Sequence, residues 1–337
     1  MNFVRRSDLE FDLLLSIGGE LMDEMLPKGE SVALYPNVHY NLPGLFQFSN
    51  LIYAFIKSVE DKFSYKVPVS YLYGAPLCRW NGGRLITNNR HNFKYQEIRE
   101  ELTKVSDNGI IPLLTFSNLE ITAGDLEDEF CNEILEVLEQ MKGSVIVSSP
   151  LLEQYIRKHY HNIKIHCSVI CTAFANRDAE YYTALSKRYD YYVINPDDNF
   201  NLKLLSSIPN HNAEILVNER CYYGCKQRAK HYLSISREQV SLARNDFIYE
   251  DFLKGCNAIP ESKQLASSKR NISCTQEELK KLIDLGFNFF KLQGRTDNLY
   301  TVFFDIMRYT LDNNIAFPAL YPIFCSQISK YLDTKGR

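Results

Sequence analysis

The stretch EILVNERCYYGCKQRAKHY, residues 214–232, gathers two thiols, a carboxylate and a histidine within a few positions of one another. Strand-prone residues run into Asn218 and Glu219, then Cys221 and Cys225 follow at Cys-x-x-x-Cys spacing, with Arg228, His231 and Tyr232 beyond them. Thiols four apart at the start of a helix can aim two sulfurs at one centre, and thiolates are soft ligands suited to zinc or to iron–sulfur clusters. Either centre normally takes four ligands. Cys256 lies in the same part of the chain and is the natural third. Cys167, Cys171, Cys274, His231 and Glu219 all stay open as a fourth. The competing account of a cytoplasmic cysteine is a small buried hydrophobe, and it suits most of the nine cysteines.

Other groups offer less specific chemistry. FKLQGR (290–295) carries Lys291 and Arg295, cations able to hold a carboxylate or phosphate. GAPLCRWNGGR (74–84) is a glycine-rich loop whose amides and Arg84 could cradle an anion. The plainer reading of that loop is a turn whose glycines permit positive φ. Between residues 220 and 244 stand Arg220, Lys226, Arg228, Lys230, Arg237 and Arg244 against Glu238 alone. Such a local positive patch fits an anionic substrate or RNA backbone, or equally one solvated helix face. HYHNIKIH (159–166) has three histidines, but two precede the strand and belong to its structural, amino-terminal end. No Gly-x-Ser-x-Gly or His-Glu-x-x-His is present, so the common hydrolase signatures are missing.

These groups need a frame. The chain has 337 residues, 45% hydrophobic and 23% charged, which is ordinary for a globular protein able to bury a sizeable core. A net charge of −3 provides no global basic field for nucleic acid or anionic membrane. No apolar run is long enough to span a bilayer. The first residues, MNFVRRSDLEFDLLLSIGGE, are too interrupted by acids for a signal peptide. The expectation is a cytoplasmic protein with reduced thiols.

Strand-like runs alternate with helical patterns eight times: strands at 31–40, 69–76, 110–118, 144–150, 164–170, 191–197, 213–221 and 287–295. Alternation of this kind implies parallel pairing with right-handed crossovers. The α/β class is therefore expected, as a (β/α)8 TIM-like barrel forming a single domain over 1–337. A doubly wound sheet is the alternative. A long insertion, 222–286, separates strands seven and eight and carries Cys225 and Cys256, far beyond the usual loop of two to six residues. Barrel active sites collect at the carboxyl ends of the strands. The ends read here include Asn37 and His39, Ser148 and Ser149, Asn195 and Asp197, Asn218 and Glu219, then Lys291 and Arg295.

Taken in order, YGAP…WNGGR, the Asn-Pro-Asp after strand six, LVNE-x-C-x-x-x-C-x-x-R-x-x-HY and FK-x-x-GR make the chain similar to the collagenase-like peptidase family U32. The resemblance spans about residues 30–315 and is strongest at 216–232. It implies a TIM-like barrel and, from several members, a [4Fe–4S] cluster serving oxygen-independent hydroxylation of RNA bases or a quinone precursor. Cys221 and Cys225 match the paired cysteines after strand seven, and Cys256 matches the later one. On this reading Cys221, Cys225 and Cys256 hold the cluster, while Asn218, Glu219 and His231 form the catalytic group. Histidine titrates near neutral pH and suits proton transfer. Lys291, Arg295, Arg84, Arg228, Asn195 and Asp197 bind a small-molecule, peptide or RNA substrate, and a related partner protein is a further expectation. Two other functions stay open. One is a hydrolase or peptidase with zinc or another divalent metal on Glu219, Asp197 and His39. The other is a non-catalytic iron–sulfur partner protein.

Overall fold

The computed structural model describes residues 34–35, 37–82, 93–244, 272–294, 298–314 and 316–335. Eight parallel strands close into a barrel in chain order: β1 (His39–Pro43), β2 (Val69–Gly74), β3 (Ile111–Leu114), β4 (Ser144–Val147), β5 (Lys164–Cys167), β6 (Tyr191–Ile194), β7 (Ala213–Leu216) and β8 (Phe289–Lys291). Closure is made by β1 and β8, with His39 opposite Phe289 and Asn41 opposite Lys291. That closure excludes the doubly wound alternative. Short apolar strands buried on both faces are what a parallel barrel demands. One set of alternate residues, including Tyr71, Tyr73, Leu113, Ile146 and Phe289, packs together in the lumen. The other set, including Leu72, Leu114, Val145, Ile165, Ile194 and Ile215, is buried on the outer side.

The helices are α1 (Ser49–Phe63), α2 (Tyr95–Asp107), α3 (Glu129–Gln140), α4 (Pro150–His159), α5 (Ala179–Arg188), α6 (Arg228–Ala243), α7 (Gln276–Asp284), α8 (Leu299–Thr310) and α9 (Ala316–Lys335). Several begin where the sequence supplies a cap. Asp128 accepts from the Cys131 amide at 2.9 Å, and Ser149 accepts from Leu152 with Pro150 as the first helical residue. Thr275 and Glu278 form a capping box on α7. The chain divides into two compact units. One comprises residues 38–47 and 69–296 and holds the barrel with α2–α7; the other comprises 1–37, 48–68 and 297–337. The second is built on α1, α8 and α9, where Phe55, Phe303 and Phe324 pack with centroids 4.8–6.3 Å apart. Among the described residues no helix is long and apolar enough to cross a membrane.

Strand positions two to eight lie inside the stretches expected for them, but the first is displaced. Asn37 has φ 65°, a left-handed conformation that interrupts the extended run, and β1 begins only at His39. Asn37 and His39 therefore stand at the amino-terminal end of the barrel and not at its mouth. This removes His39 from the ligand set of the hydrolase reading.

The glycine-rich loop after β2 also differs from a simple positive-φ turn. Trp80 is fully buried and donates to the Asp125 carbonyl at 2.7 Å. Gly82 is not among the positive-φ residues, yet a Cβ there would lie 2.1 Å from the Ser117 carbonyl oxygen. Its smallness is needed for the close approach of two backbones. Gly82→Ala should destabilise the fold by about 1–3 kcal/mol, read as a lower denaturant midpoint, whereas Gly109→Ala, whose site is open, should cost only the strain of its positive φ.

Candidate functional site

The carboxyl ends of β6, β7 and β8 are tied together by a dense polar network. Asn195 follows β6 and starts a one-turn 3-10 helix, accepting from the Asp197 amide at 3.0 Å and donating to Thr172 Oγ1 at 2.9 Å. Asp197 then takes Arg228 in a two-pronged pair, 2.9 and 3.0 Å long. Planar guanidinium against carboxylate is the strongest form of such a contact. Arg228 also donates to Asn195 Oδ1 at 3.2 Å and to the Tyr222 carbonyl at 2.9 Å. Asp197 Oδ1 accepts as well from the Gly224 amide at 2.8 Å. Gly224, at φ 62°, lets the chain turn back there. The loop between β7 and α6, which bears Cys221 and Cys225, is thus clamped from below by the Asn195-Pro196-Asp197 turn.

Asn218 and Gln293 lock β7 to β8. Gln293 N donates to Asn218 Oδ1 at 2.7 Å, and Asn218 Nδ2 returns a bond to the Gln293 carbonyl at 3.0 Å. Glu219 lies beside them, accepting from the Cys221 amide at 2.9 Å and from Gln293 Nε2 at 3.2 Å, both at Oε1. Cys221 and Cys225 are free thiols, each half-buried. Burial pushes the Cys221 thiol up to about 11, against the pull of the Arg228 guanidinium, with Glu219 and Cys225 adding to the rise. Tyr232 is raised too, by burial and then by Glu219. His231 sits in the first turn of α6, its amide bonded to the Gln227 carbonyl. Arg84, Cys256 and Arg295 lie outside the described residues.

Of the remaining cysteines considered as ligands, Cys274 is buried, with its sulfur accepting from Asn199 at 3.9 Å. Cys171 lies in the short turn of helix after β5, its thiol donating to the Ser148 carbonyl at 3.6 Å, and the Cys167 thiol donates to the Ser168 carbonyl at 3.8 Å. Among the described residues, no three His, Cys, Asp or Glu side chains come together in a way that could hold a metal ion. Cys221 and Cys225 supply two donors of the right softness, and a centre at this site requires its further ligands from elsewhere in the chain.

The basic run after Cys225 proves to be a fastening. The N-terminus of α6 is held at β6 through Arg228. Farther along, Ser236 O and Oγ accept from Asn118 Nδ2 at 2.9 Å and from Leu119 N at 3.2 Å, after β3. Gln239 accepts from Asn81 at 3.2 Å, after β2, and Arg244 reaches the buried Asp125 at 2.6 Å. Strands six and two are opposite in an eight-membered ring. The helix rises roughly 16 Å between Arg228 and Gln239. Eight strands about 4.8 Å apart and tilted about 36° make a ring roughly 15 Å across. Hence α6 crosses the mouth of the barrel along a diameter. Its buried residues combine small or polar side chains, Ser234, Ser236, Gln239 and Ser241, with the apolar Ile235 and Val240.

Beneath this strap the lumen carries charge. Lys291 Nζ pairs with Glu214 Oε1 at 2.9 Å and lies 4.5 Å from the centre of the Tyr73 ring. Asn41 donates to the other Glu214 oxygen. His166 Nδ1 is 3.7 Å from that oxygen, beyond hydrogen-bond length, and its ring lies between Tyr71 and Tyr191 at 5.0 and 4.6 Å. Asn41 with Glu214, Lys291 with Tyr73 and His166 with Tyr71 join strands that are not neighbours, which only the lumen allows. Burial pushes the His166 imidazole below its usual range, so it is neutral at pH 7. Burial alone would raise the Glu214 carboxyl, but Lys291 and then His166 hold it at about 2. Asn41, His166 and Glu214 were not expected from sequence as site residues. A polar residue in the inward phase of an otherwise apolar strand is the feature that marks each of them.

No family model and no curated protein matches the chain. Among solved structures, it is similar to the U32 peptidase Mk0906, at 12% identity and TM-score 0.49, over 82% of this chain and 99% of that one. It also matches an HpcH/HpaI aldolase from Desulfitobacterium hafniense DCB-2, at 5% identity and TM-score 0.29, over 81% and 90% of the two chains.

Glu214 has an ordinary value of 4.5 and a folded value of about 2. Its carboxylate therefore contributes stability in full above pH 4.5, and loses it as pH falls through 2. Glu214→Gln should flatten the acid arm of a stability–pH curve in that window. Lys291→Met at pH 7 leaves the carboxylate uncompensated and should cost about 3–5 kcal/mol. The double variant Glu214→Gln/Lys291→Met should regain most of that loss in urea titrations.

Proposed function

We propose that the chain is an iron–sulfur enzyme whose cluster is held at the mouth of the barrel by Cys221, Cys225 and Cys256. Its reaction is oxygen-independent hydroxylation, or a related modification, of a small-molecule, peptide or RNA substrate. The observation that carries this reading is the placement of two free thiols on a clamped turn, at the barrel end where substrates meet strand ends. The resemblance of LVNE-x-C-x-x-x-C-x-x-R-x-x-HY to the U32 family supplies the cluster type and the reaction class. The cluster, when bound, provides redox-active iron; a [4Fe–4S] cluster on three cysteines also leaves one iron open to a substrate or water.

The protein's own residues have the remaining tasks. Arg228, fixed on Asp197 and Asn195, places positive charge beside Cys221 and favours the thiolate that ligation needs. Asn218 and Gln293 hold the strand ends in register under the site. Glu219, anchored at one oxygen, is placed next to Cys221 to accept or return a proton, and His231 provides a second titrating group in the same stretch. The strap α6 screens this end of the barrel from water.

The hydrolase reading is weaker because Asp197 is engaged by Arg228, and His39 lies at the opposite end of the barrel.

Anaerobic purification of the full chain tests the proposal. The expected protein is brown, absorbs near 400 nm, and contains iron and acid-labile sulfide in equal amounts. Cys221→Ala, Cys225→Ala and Cys256→Ala should each lose most of the iron while keeping the far-ultraviolet circular dichroism of the parent. A colourless protein with stoichiometric zinc, or a Cys225→Ala variant with full iron, would contradict it.

A further inference from the structure

The lumen holds an amine, a carboxylate and a neutral imidazole that the thiol site does not use. We propose that Lys291 is the reacting amine of a carbonyl-binding site, condensing with a small aldehyde or ketone that enters from the mouth of the barrel. Three features of the structure point to it.

First, the cluster is costly where it stands. Barrel lumens are ordinarily filled by Val, Ile and Leu, and a buried ion pair can often be replaced by apolar residues without loss of stability. Here Asn41, His166 and Glu214 are each completely buried, and neither His166 nitrogen nor Asn41 Oδ1 has a hydrogen-bond partner. Stability alone does not account for a charged lumen of this kind.

Second, the position is right for reaction. Lys291 is the last residue of β8, at the carboxyl end of the barrel, and its side chain keeps 11% exposure while that of Glu214 has none. The one cluster member that meets incoming molecules is therefore the amine. Simple capture of an anion is a poor use for it, because Glu214 at 2.9 Å already neutralises its charge.

Third, the proton inventory closes. The ammonium releases a proton to water at the mouth of the barrel, and the free amine attacks the carbonyl carbon. A C–N bond forms and the carbonyl C–O bond breaks. The oxygen leaves as water, carrying one proton taken back from solvent and a second one from nitrogen, while Glu214 stays ionised as the counter-charge. The product is a protonated imine, so the charge on nitrogen is unchanged, nothing is oxidised or reduced, and Glu214 keeps its cationic partner. The Tyr73 face, 4.5 Å from Nζ, favours the cation before and after the step.

The experiment is borohydride trapping on the full chain. The protein is incubated with glycolaldehyde, or separately with pyruvate, reduced with sodium borohydride, digested and mapped by mass spectrometry. The expected result is one dominant reduced adduct on Lys291, far above that on the exposed Lys280 and Lys281. Glu214→Gln, which removes the counter-charge of the cationic imine, should reduce trapping at Lys291 by at least about tenfold, with a thermal melt confirming that the variant is folded. Cys221→Ala and Cys225→Ala should leave trapping intact, which separates this proposal from the metal centre. Modification of Lys291 no greater than that of Lys280 and Lys281, with both probes on wild-type protein, would overturn it and leave the pair a staple between β7 and β8.

Discussion

The arrangement at the barrel mouth depends on the pairing of Arg228 with Asp197. Arg228 is 5% exposed, and its guanidinium spends four bonds on Asp197, Asn195 and the Tyr222 carbonyl. A charge so deeply buried is tolerated only with partners of matching geometry. The requirement works in both directions: the arginine needs the Asn-Pro-Asp turn after β6, and the turn in this way fixes where the chain leaving β7 must go. The position of Cys221 and Cys225 and the starting point of α6 follow from that contact, and its direction across the barrel is set by the bonds of Ser236, Gln239 and Arg244 farther along. At the far end of the helix, Arg244 pairs with Asp125, and there the buried partner is the carboxylate.

Two layers of polar chemistry then lie on one axis. The upper comprises the thiols, Glu219 and the clamp. The lower comprises Glu214, Lys291, Asn41 and His166. Hydrogen bonds from Asn218 and Gln293, at the ends of β7 and β8, separate them. The strap crosses this end of the barrel, held to the residues that follow β2, β3 and β6. Because α6 is anchored at both ends by carboxylates, the site beneath it is preorganised, a condition for directing polar groups at a reacting centre.

Much of this was legible in the sequence, for physical reasons that also explain the failures. Strands two to eight announce themselves as short apolar runs between helical patterns, because both faces of a parallel strand are buried. The first strand misleads: SVALYPNVHY looks continuous, but Asn37 takes a left-handed conformation and β1 begins only at His39. Asn195, Asp197, Asn218 and Glu219 could be singled out because they close strands that end on one rim of the barrel. That Asp197 belongs to Arg228, thirty-one positions on, is a tertiary fact with no local trace. The basic run at 220–244 read either as a surface for anions or as a solvated helix face, whereas three of its arginines pair with acids, Asp197, Glu120 and Asp125. Glu214 and His166 were passed over because AEIL and KIHC look like plain core strands, and only closure of the barrel shows which of their residues point inward.

The central claim is that sulfur from residues 221 and 225 ligates iron at the open end of this barrel. X-ray absorption at the iron and zinc edges, recorded on protein purified and frozen without oxygen, measures that most directly. The account predicts an iron edge with a first shell dominated by sulfur and a short iron–iron scattering path, both reduced in the Cys221→Ala/Cys225→Ala double variant. A zinc edge in place of iron, or iron surrounded only by oxygen and nitrogen, would contradict it.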